Sequence, residues 1–243
     1  MERRHVGALE RLYKGQTGHV AADRRSKSFV IGKGTKQGDP LSPALFNAVL
    51  EVCLRKLKVK WARSKWGLRM GDYAHADMLQ NLRFADDILL VARSLAQVRG
   101  MLGDLSREAA LVGLNLHFGL TKILANTGVR RGIKRENNTV DIAGQEVEVV
   151  PIDGSTAYLG REVTLGEDFH DRELENRIAR AWGKFMSLKK ELCGRHYSLD
   201  DRMRLFDAVV TPTILYGSGS WTMTQSREER LRTTQKKMLN YKI

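Results

Sequence analysis

The chain has few of the features that mark secreted or membrane proteins. Its two cysteines, Cys53 and Cys193, are too few and too far apart for a disulfide framework or a self-contained zinc site. No stretch reaches the roughly 18 apolar residues that cross a bilayer, and the opening MERRHV lacks the apolar region of a secretory signal. We therefore expect an intracellular, soluble protein with no membrane partner, and leave a nuclear or cytoplasmic location open.

Internal repeats, low-complexity tracts and long Pro/Ser linkers are also lacking. A length of 243 residues suits one sizeable domain or two small ones. A hydrophobic fraction of 42% is sufficient for a packed core and excludes wholesale disorder.

Basic residues outnumber acidic residues, and the net charge is +13. Residues 1–70 carry +11, residues 71–170 carry −4 and residues 171–243 carry +6. Lys and Arg gain free energy by displacing counterions from phosphates. Two basic regions around an acidic middle therefore favour a nucleic acid held around a cation-binding centre, although a solvated basic surface has the same composition.

Hydrophobic periodicity predicts an α+β domain over residues 1–168. Pro40 and Pro43 mark the start of a helix, and Ser94 with Gln97 forms a capping box at the start of another. The predicted helices cover residues 6–14, about 40–59 and 94–112, and the predicted strands cover residues 20–22, 29–31, 79–84, 88–92, 123–125, 140–142, 147–149 and 157–163.

From residue 169 to residue 243 the pattern is helical throughout, which predicts a second, all-helical domain. One amphipathic helix is predicted over residues 174–192. Ser198 begins the next helix, and Ser226 with Glu229 is predicted to cap the last.

Asp86 and Asp87 lie between two apolar runs, which predicts the tight turn of a hairpin with buried strands. Adjacent carboxylates repel each other and lose solvation on burial, and a divalent cation would offset their charge. Hard oxygen ligands suit Mg²⁺, and two-metal phosphoryl transfer uses such carboxylates. An isolated Asp-Asp pair is more often a solvated loop.

The segment GTKQGDPLSPALF (34–46) precedes FADD (84–87) by about forty residues. Its glycines allow close backbone approach to a ligand, while Lys36 suits a phosphate and Gln37 suits a base edge or sugar. The alternative is that Gly and Pro only shape the start of the helix. We expect the segments to face each other across a cleft that admits a duplex end.

These two segments resemble motifs B and C of the reverse transcriptases of non-LTR (LINE-type) retrotransposons. Further segments resemble other parts of the same enzymes, in the family's order. They are LYKGQ (12–16) ahead of motif B, GLNLHFGLTKILAN (113–126) for motif D, AYLGREV (157–163) for the primer-grip motif E, and TPTILYGSGSWTMT (211–224) in the thumb. An ordered set of this kind is far more specific than any single motif.

The resemblance implies a partial polymerase palm, with an antiparallel sheet and packed helices, followed by a helical thumb. It implies RNA-directed DNA polymerase activity that adds dNTPs to a primer 3′-OH with two Mg²⁺ ions. An RNA template and a DNA primer would be the partners, and the oligomeric state is left open.

The resemblance also implies individual roles. Asp86 would be the principal metal-binding catalytic carboxylate with Asp87 as its partner, and Lys122 matches a lysine proposed to protonate the leaving pyrophosphate. A solvated surface lysine accounts equally well for Lys122. The implied nucleotide- and template-binding residues are Lys36, Gln37, Gly38, Pro40, Phe84 and Ala85, and the implied primer-grip residues are Leu159 and Gly160, for which a plain core strand is the competing interpretation.

Four other residues are interpreted as structural. Tyr216 and Trp221 are expected in the thumb core. His75 and Cys53 have no partner at metal-ligand spacing.

The family's motif A supplies a further metal-binding aspartate, on a strand before the helix that ends near Lys14. Glu10 and Asp23 do not match it, so we expect an N-terminally truncated enzyme with exposed apolar surface. Two carboxylates should hold Mg²⁺ weakly, and we expect little or no polymerase activity. Open alternatives are a non-catalytic RNA/DNA-binding remnant of a retroelement and a group II intron maturase-like protein.

Overall fold

The computed structural model describes residues 3–21, 25–71, 77–126 and 138–241. The fold is α+β, as predicted, with short strands paired in small sheets. The helices are α1 (Arg3–Tyr13), α2 (Ser42–Arg63), α3 (Leu95–Leu111), α4 (Phe169–Ser187), α5 (Lys189–Leu192), α6 (Leu199–Leu215) and α7 (Gln225–Leu239). The strands are β1 (Thr17–Gly18), β2 (Phe29–Val30), β3 (Leu68–Arg69), β4 (Met78–Leu79), β5 (Asn81–Phe84), β6 (Asp87–Leu90), β7 (Lys122–Leu124), β8 (Thr139–Ile142), β9 (Gln145–Val150), β10 (Thr156–Tyr158) and β11 (Arg161–Val163).

The chain forms two compact units, Met1–Val59 and Lys60–Ile243. The division into a palm domain over residues 1–168 and a thumb domain over residues 169–243 stays a prediction. None of the helices in the described ranges is both long enough and apolar enough to span a bilayer.

The first unit contains α1, the β1–β2 hairpin and most of α2. The predicted hairpin is confirmed, but its first strand lies upstream of the predicted position, with Thr17 opposite Val30. Val20 is in the connection instead, where its N–H donates to the Ser26 hydroxyl (2.8 Å) and its carbonyl accepts from the Ser26 N–H (2.9 Å). Ala22 and Asp23 lie outside the described residues.

The start of α2 is fixed by Asp39. Its carboxylate accepts a hydrogen bond from the Leu41 N–H at 2.9 Å, and its carbonyl accepts one from the Ser42 N–H at 3.1 Å. These bonds satisfy N–H groups at the helix start that have no acceptor within the helix. The predicted start is therefore confirmed. The helix continues to Arg63, past the predicted end near Val59, because no Gly or Pro interrupts it there.

In the second unit, α3 packs on the three-stranded sheet β7-β9-β8, in which β7 and β9 are parallel. The predicted hairpin of β8 and β9 is confirmed, and its turn residues Ala143 and Gly144 have φ of 55° and 77°. Alternate residues of both strands point into the core because strand side chains alternate between faces. The buried cluster is Leu95, Leu102, Ile123, Val140, Ile142, Val147 and Val149.

The capping box of α3 is confirmed in part. The Ser94 hydroxyl accepts from the Gln97 N–H at 3.3 Å, as predicted. The Gln97 side chain bonds the N–H of Arg93 at 3.0 Å rather than that of Ser94.

The region after residue 169 is helical, as predicted, and packs around a second cluster. Its buried residues are Ala181, Phe185, Leu192, Phe206, Val210 and Met238. The predicted helix over residues 174–192 is interrupted at Leu188, which separates α4 from α5.

The predicted starts of the two later helices have different outcomes. Ser198 precedes α6 and its hydroxyl accepts from the Asp201 N–H at 3.1 Å, so the predicted start of α6 is confirmed. The Ser226 cap is wrong, because the Thr224 hydroxyl accepts from the Arg227 N–H at 3.3 Å and Ser226 lies in the first turn of α7. Ser and Thr are both common at the position before a helix, and in this structure Thr224 occupies that position.

Candidate active site

The acidic pair lies at the tip of the β5–β6 hairpin, and the predicted turn position is confirmed for Asp86, whereas Asp87 is the first residue of β6. The pairing runs from Asn81 opposite Leu90 to Phe84 opposite Asp87, which leaves Ala85 and Asp86 in the turn. Ala85 has a φ of 52°, a left-handed conformation that a tight turn requires and that is uncommon outside glycine. Local backbone geometry thus presents both carboxylates at one end of the hairpin.

The hairpin strands are less buried than predicted. Leu82 is 48% exposed and Phe84 is 65% exposed, on the same face of β5. The sheet contains only β5 and β6 among the described residues, so that face is left uncovered. The prediction of buried strands is wrong there, whereas the expected exposure of apolar surface is confirmed. At the other end, Leu90 packs against the cluster beneath α3.

The side chains of Asp86 and Asp87 are exposed. Within the described residues, neither carboxylate forms a hydrogen bond or an ion pair. No group of three His, Cys, Asp or Glu in the described ranges is arranged to hold a metal ion. Two exposed carboxylates are hard oxygen donors, so the pair fits Mg²⁺ as part of a ligand set.

Tyr158, at the end of β10, is influenced electrostatically by the acidic turn. Burial raises the pKa of the Tyr158 phenol above its ordinary value of 10.0, and the negative charge of Asp87 raises it further. The phenol is therefore neutral at physiological pH and lies within electrostatic range of Asp87. The sequence contained this residue in the AYLG segment but provided no signal that it would approach Asp87.

The segment 157–163, predicted as one strand, is a tight hairpin, with Leu159 and Gly160 in its turn at φ of 50° and 71°. Two left-handed residues reverse the chain, which an apolar-rich run does not reveal. The carbonyl of Leu159 accepts a 3.0 Å hydrogen bond from the Tyr216 hydroxyl, and the carbonyl of Gly160 accepts from the Arg177 guanidinium.

Tyr216 itself departs from its prediction. It is 50% exposed and reaches the hairpin turn, rather than lying inside the thumb core. Trp221 is partly buried.

A buried carboxylate on α4 supports this hairpin. Glu173 is fully buried and accepts hydrogen bonds of 2.8 Å from the Glu162 N–H and from Arg177 Nε. Its Oε1 also lies 3.5 Å from Nε of Arg161. Sequence reasoning missed Glu173 and Arg177; the available signal was a Glu–Arg pair at i,i+4 beside the apolar stripe of a helix.

A cavity of about 570 Å³ opens beside this hairpin, between α4 and α6. Arg180 and Lys184 line it from α4, and Pro212 and Thr213 line it from α6. Gly160 contributes to the same cavity, which places a basic groove next to the hairpin turn.

Lys122 lies on β7 opposite Glu148 of β9, with an ion pair of 3.0 Å between its Nζ and the Glu148 carboxylate. Both side chains are partly exposed, at 39% and 51%. The structure therefore shows a paired surface lysine, and a role in proton transfer stays a prediction.

The glycine-rich loop belongs to the first unit. Gly34 and Gly38 have φ of 88° and 85°, and the side chains of Lys36, Gln37 and Pro40 are exposed. That this loop faces Asp86 and Asp87 stays a prediction.

The two residues interpreted as having no metal-binding role have different outcomes. Cys53 is buried in α2, which agrees with a structural role. His75 lies outside the described residues.

Residues 3–159 match the sequence model of the family described as reverse transcriptase (RNA-dependent DNA polymerase). This match covers more than half of the chain. The chain therefore belongs to the reverse transcriptase family, which confirms the resemblance drawn from its motifs.

The chain is similar to several transposon-derived proteins. It is 32% identical over 164 residues to an uncharacterized transposon-derived protein of Caenorhabditis elegans, a match covering 64% of this chain and 53% of the relative. It is 36% identical over 113 residues to the retrovirus-related Pol polyprotein of the retrotransposable element R2DM of Drosophila melanogaster, covering 46% of this chain and 10% of the polyprotein. It is 34% identical over 134 residues to the R2 Pol polyprotein of Nasonia vitripennis, covering 53% and 12%.

The chain thus spans about half the length of the first of these relatives and about a tenth of the Pol polyproteins. The similarity to R2 elements supports a reverse transcriptase domain of the non-LTR retrotransposon type.

Proposed function

We propose that this chain supplies palm and thumb elements of an RNA-directed DNA polymerase that extends a DNA primer on an RNA template. The observation that supports this most directly is the β5–β6 turn, which presents Asp86 and Asp87 as exposed carboxylates with no ion pair to another described residue. An acidic turn of this kind is suited to divalent cations and to the phosphate chemistry that such cations assist.

Asp86 and Asp87 would hold the metal ions, with Asp86 as the principal ligand. Bound Mg²⁺ supplies charge neutralisation at the attacking and leaving oxygens of nucleotidyl transfer. The hairpin keeps the two carboxylates close together, because the pairing of Phe84 with Asp87 closes the turn that contains Asp86. This arrangement limits the reorganisation needed when a ligand binds.

The nucleotide and template would be bound by the glycine-rich loop and by the residues that precede the acidic pair. Lys36 offers a charge for phosphate, Gln37 offers an amide for a base edge or sugar, and Gly38 leaves the backbone accessible. The proposed binding residues are Lys36, Gln37, Gly38, Pro40, Phe84 and Ala85. The exposure of Phe84, at 65%, supports its availability to a ligand.

Two further roles concern the primer and the leaving group. The turn residues Leu159 and Gly160 would contact the primer end, and Tyr158 beside them is within range of the Asp87 charge. Lys122 would protonate the leaving pyrophosphate. To do so, its ammonium group would leave the ion pair with Glu148 and contact the pyrophosphate instead.

The isolated chain should have little or no polymerase activity. A two-carboxylate turn satisfies only part of the octahedral oxygen shell that Mg²⁺ requires, so its affinity and positioning should be poor. A second candidate function is non-catalytic binding of RNA or DNA. The basic groove with Arg180 and Lys184 favours it, because this groove could bind phosphates without any metal chemistry.

Primer extension tests the activity. The chain is incubated with a DNA primer annealed to RNA, dNTPs and Mg²⁺, and extension is compared with the Asp86→Asn variant. Asp200→Asn is the matched control, because Asp200 is also an exposed aspartate followed by a second one. Trace extension that Asp86→Asn abolishes supports the proposal, whereas robust extension that requires Asp86 shows that the expected inactivity is wrong.

Duplex binding separates the two candidate functions. We expect the affinity for the RNA–DNA duplex to fall steeply as salt rises. Binding that is insensitive to Mg²⁺ removal and to Asp86→Asn, together with no incorporation of dNTPs, would favour the non-catalytic alternative. A chain with no measurable duplex affinity at low salt would contradict both.

A further inference from the structure

Both carbonyl groups of the β10–β11 turn are bonded to the helical region. The Leu159 carbonyl accepts from the Tyr216 hydroxyl at 3.0 Å, and the Gly160 carbonyl accepts from the Arg177 guanidinium. Arg177 lies in α4, and Tyr216 directly follows α6. Two helices distant in sequence therefore determine where this turn points.

The two donors form one connected group. The Arg177 guanidinium lies 4.7 Å from the centre of the Tyr216 ring, and its Nε donates to the Glu173 carboxylate at 2.8 Å. The side chains of Arg177 and Glu173 are 4% and 0% exposed. A buried charge pair of this kind keeps its partners together, because Arg177 without Glu173 would be an uncompensated buried charge.

Glu173 also holds the hairpin at its second strand. It accepts a 2.8 Å hydrogen bond from the Glu162 N–H. Residue Glu162 lies opposite Ala157 in the hairpin. The Tyr158–Arg161 pair lies between this position and the turn. The hairpin is thus attached to the helices at Leu159, Gly160 and Glu162.

This attachment matters because the turn is conformationally unfavourable. Leu159 has a φ of 50°, in a region that L-residues with a large side chain rarely occupy. Hydrogen bonds to its carbonyl and to the next carbonyl offset that cost and select one arrangement of the turn.

We propose that Arg177 and Tyr216 are positioning residues, which orient the Leu159–Gly160 turn so that it holds the end of a primer in one position. This inference rests on the proposed function, in which that turn contacts the primer. The two residues act through the turn and do not touch the reacting atoms. Loss of either hydrogen bond should displace the primer end while the duplex remains bound elsewhere on the protein.

The test measures duplex affinity and primer-end placement separately. An RNA–DNA duplex carries a distal fluorophore for anisotropy and 2-aminopurine at the primer 3′ end, whose fluorescence reports stacking at the terminus. Tyr216→Phe removes only the hydroxyl and keeps the ring beside Arg177. Arg177→Lys keeps the positive charge but cannot reproduce the planar fork of donors.

Two matched controls use residues that do not contact the turn. Tyr197→Phe removes the hydroxyl of another half-exposed tyrosine, and Arg172→Lys changes an arginine on the same helix that bonds Asp168 and does not line the basic groove. Thermal unfolding shows that each variant is folded. If the Arg177→Lys variant fails to fold, the test relies on Tyr216→Phe. The Tyr216 side chain is half exposed, so we expect this variant to fold.

We expect Tyr216→Phe and Arg177→Lys to reduce the 2-aminopurine response at saturation by about threefold to tenfold, the range that follows from loss of one hydrogen bond. Duplex affinity should change less than about twofold, since phosphate contacts dominate it. The controls should keep the parent response.

A full parent response in Tyr216→Phe overturns the positioning role alone. An equal loss in the two controls also overturns it, because the effect would then not depend on the turn. Duplex binding by the parent chain with no 2-aminopurine response contradicts primer contact by the turn, and with it both the proposed function and this inference.

Discussion

The indole N–H of Trp61 donates a hydrogen bond of 3.0 Å to a carboxylate oxygen of Asp104, 43 residues later in the chain. Both residues are buried, and the other carboxylate oxygen accepts from Lys60 at 2.7 Å and from Arg107. This cluster joins the end of α2 to α3, the helix that covers the β7-β9-β8 sheet.

Replacing Asp104 with Ala should lower the free energy of unfolding by about 1–3 kcal/mol, because it leaves the buried indole N–H of Trp61 without its acceptor. Lys60 and Arg107 are more than half exposed, so the loss of their ion pairs adds little. Urea denaturation near neutral pH measures the change. Glu167→Ala, at an exposed acidic position, is the control and should change stability by less than about 0.5 kcal/mol. Equal stability of the two variants would contradict a role for the cluster.

The same carboxylate should make stability depend on pH. Burial raises the pKa of Asp104, but hydrogen bonds from Lys60, Trp61 and Arg107 together lower it below its ordinary value of 3.8. The unfolded chain therefore binds more protons in acid, so the stabilisation is complete above about pH 5 and is lost as pH falls through the folded-state pKa. The stability difference between the parent and Asp104→Asn should shrink below about pH 4. A difference that is constant with pH would contradict this assignment.

Gly67 should not tolerate a side chain. Its φ is 104°, and a Cβ there would lie 2.5 Å from the carbonyl oxygen of Leu79. We expect Gly67→Ala to destabilise the protein by about 2 kcal/mol or more, through backbone strain and overpacking. The matched control is Gly103→Ala within α3, where nothing lies within 4 Å of the added Cβ. That change should stabilise by about 0.5–1 kcal/mol, because Ala favours helix. Thermal unfolding of both variants tests the contrast, and similar destabilisation would contradict it.

The charge of Asp87 should be detectable at Tyr158. Burial keeps the pKa of the Tyr158 phenol above 10.0, and the Asp87 charge adds to that shift. Asp87→Asn should therefore lower the Tyr158 pKa while leaving it above the ordinary value, since the effect of burial remains. NMR titration of labelled tyrosine rings measures the change, with Tyr158→Phe used to assign the signal. An unchanged Tyr158 pKa in Asp87→Asn would contradict an electrostatic effect of Asp87 on the phenol.

The parts of the fold that could be predicted are those that local sequence specifies. Adjacent apolar runs around Ala85 and Asp86 predicted a hairpin turn, and alternation around Ala143 and Gly144 predicted another, because turn residues and strand period act over a few neighbouring positions. Both hairpins are confirmed. The order of motifs likewise identified the family, since it is a property of the chain alone.

Other features depend on contacts between segments far apart in the chain. The exposure of Leu82 and Phe84 could not be predicted from an apolar strand pattern, because it depends on which element covers that face of the sheet. The reversal at Leu159 and Gly160 was missed because neither its left-handed backbone nor its partners, Arg177 on α4 and Tyr216 directly after α6, leave a local signature.

The sequence by itself determined the family, the acidic pair at a turn and the positive charge, because residue order, local turn chemistry and composition do not depend on packing. Only the tertiary structure decided that Glu173 and Arg177 are buried and that Arg177 and Tyr216 hold the Leu159–Gly160 turn. The physical reason is that burial and hydrogen-bond partners depend on segments that are distant in the sequence. Tyr216 and Leu159 are more than fifty residues apart, and they meet only when the helices fold against the hairpin.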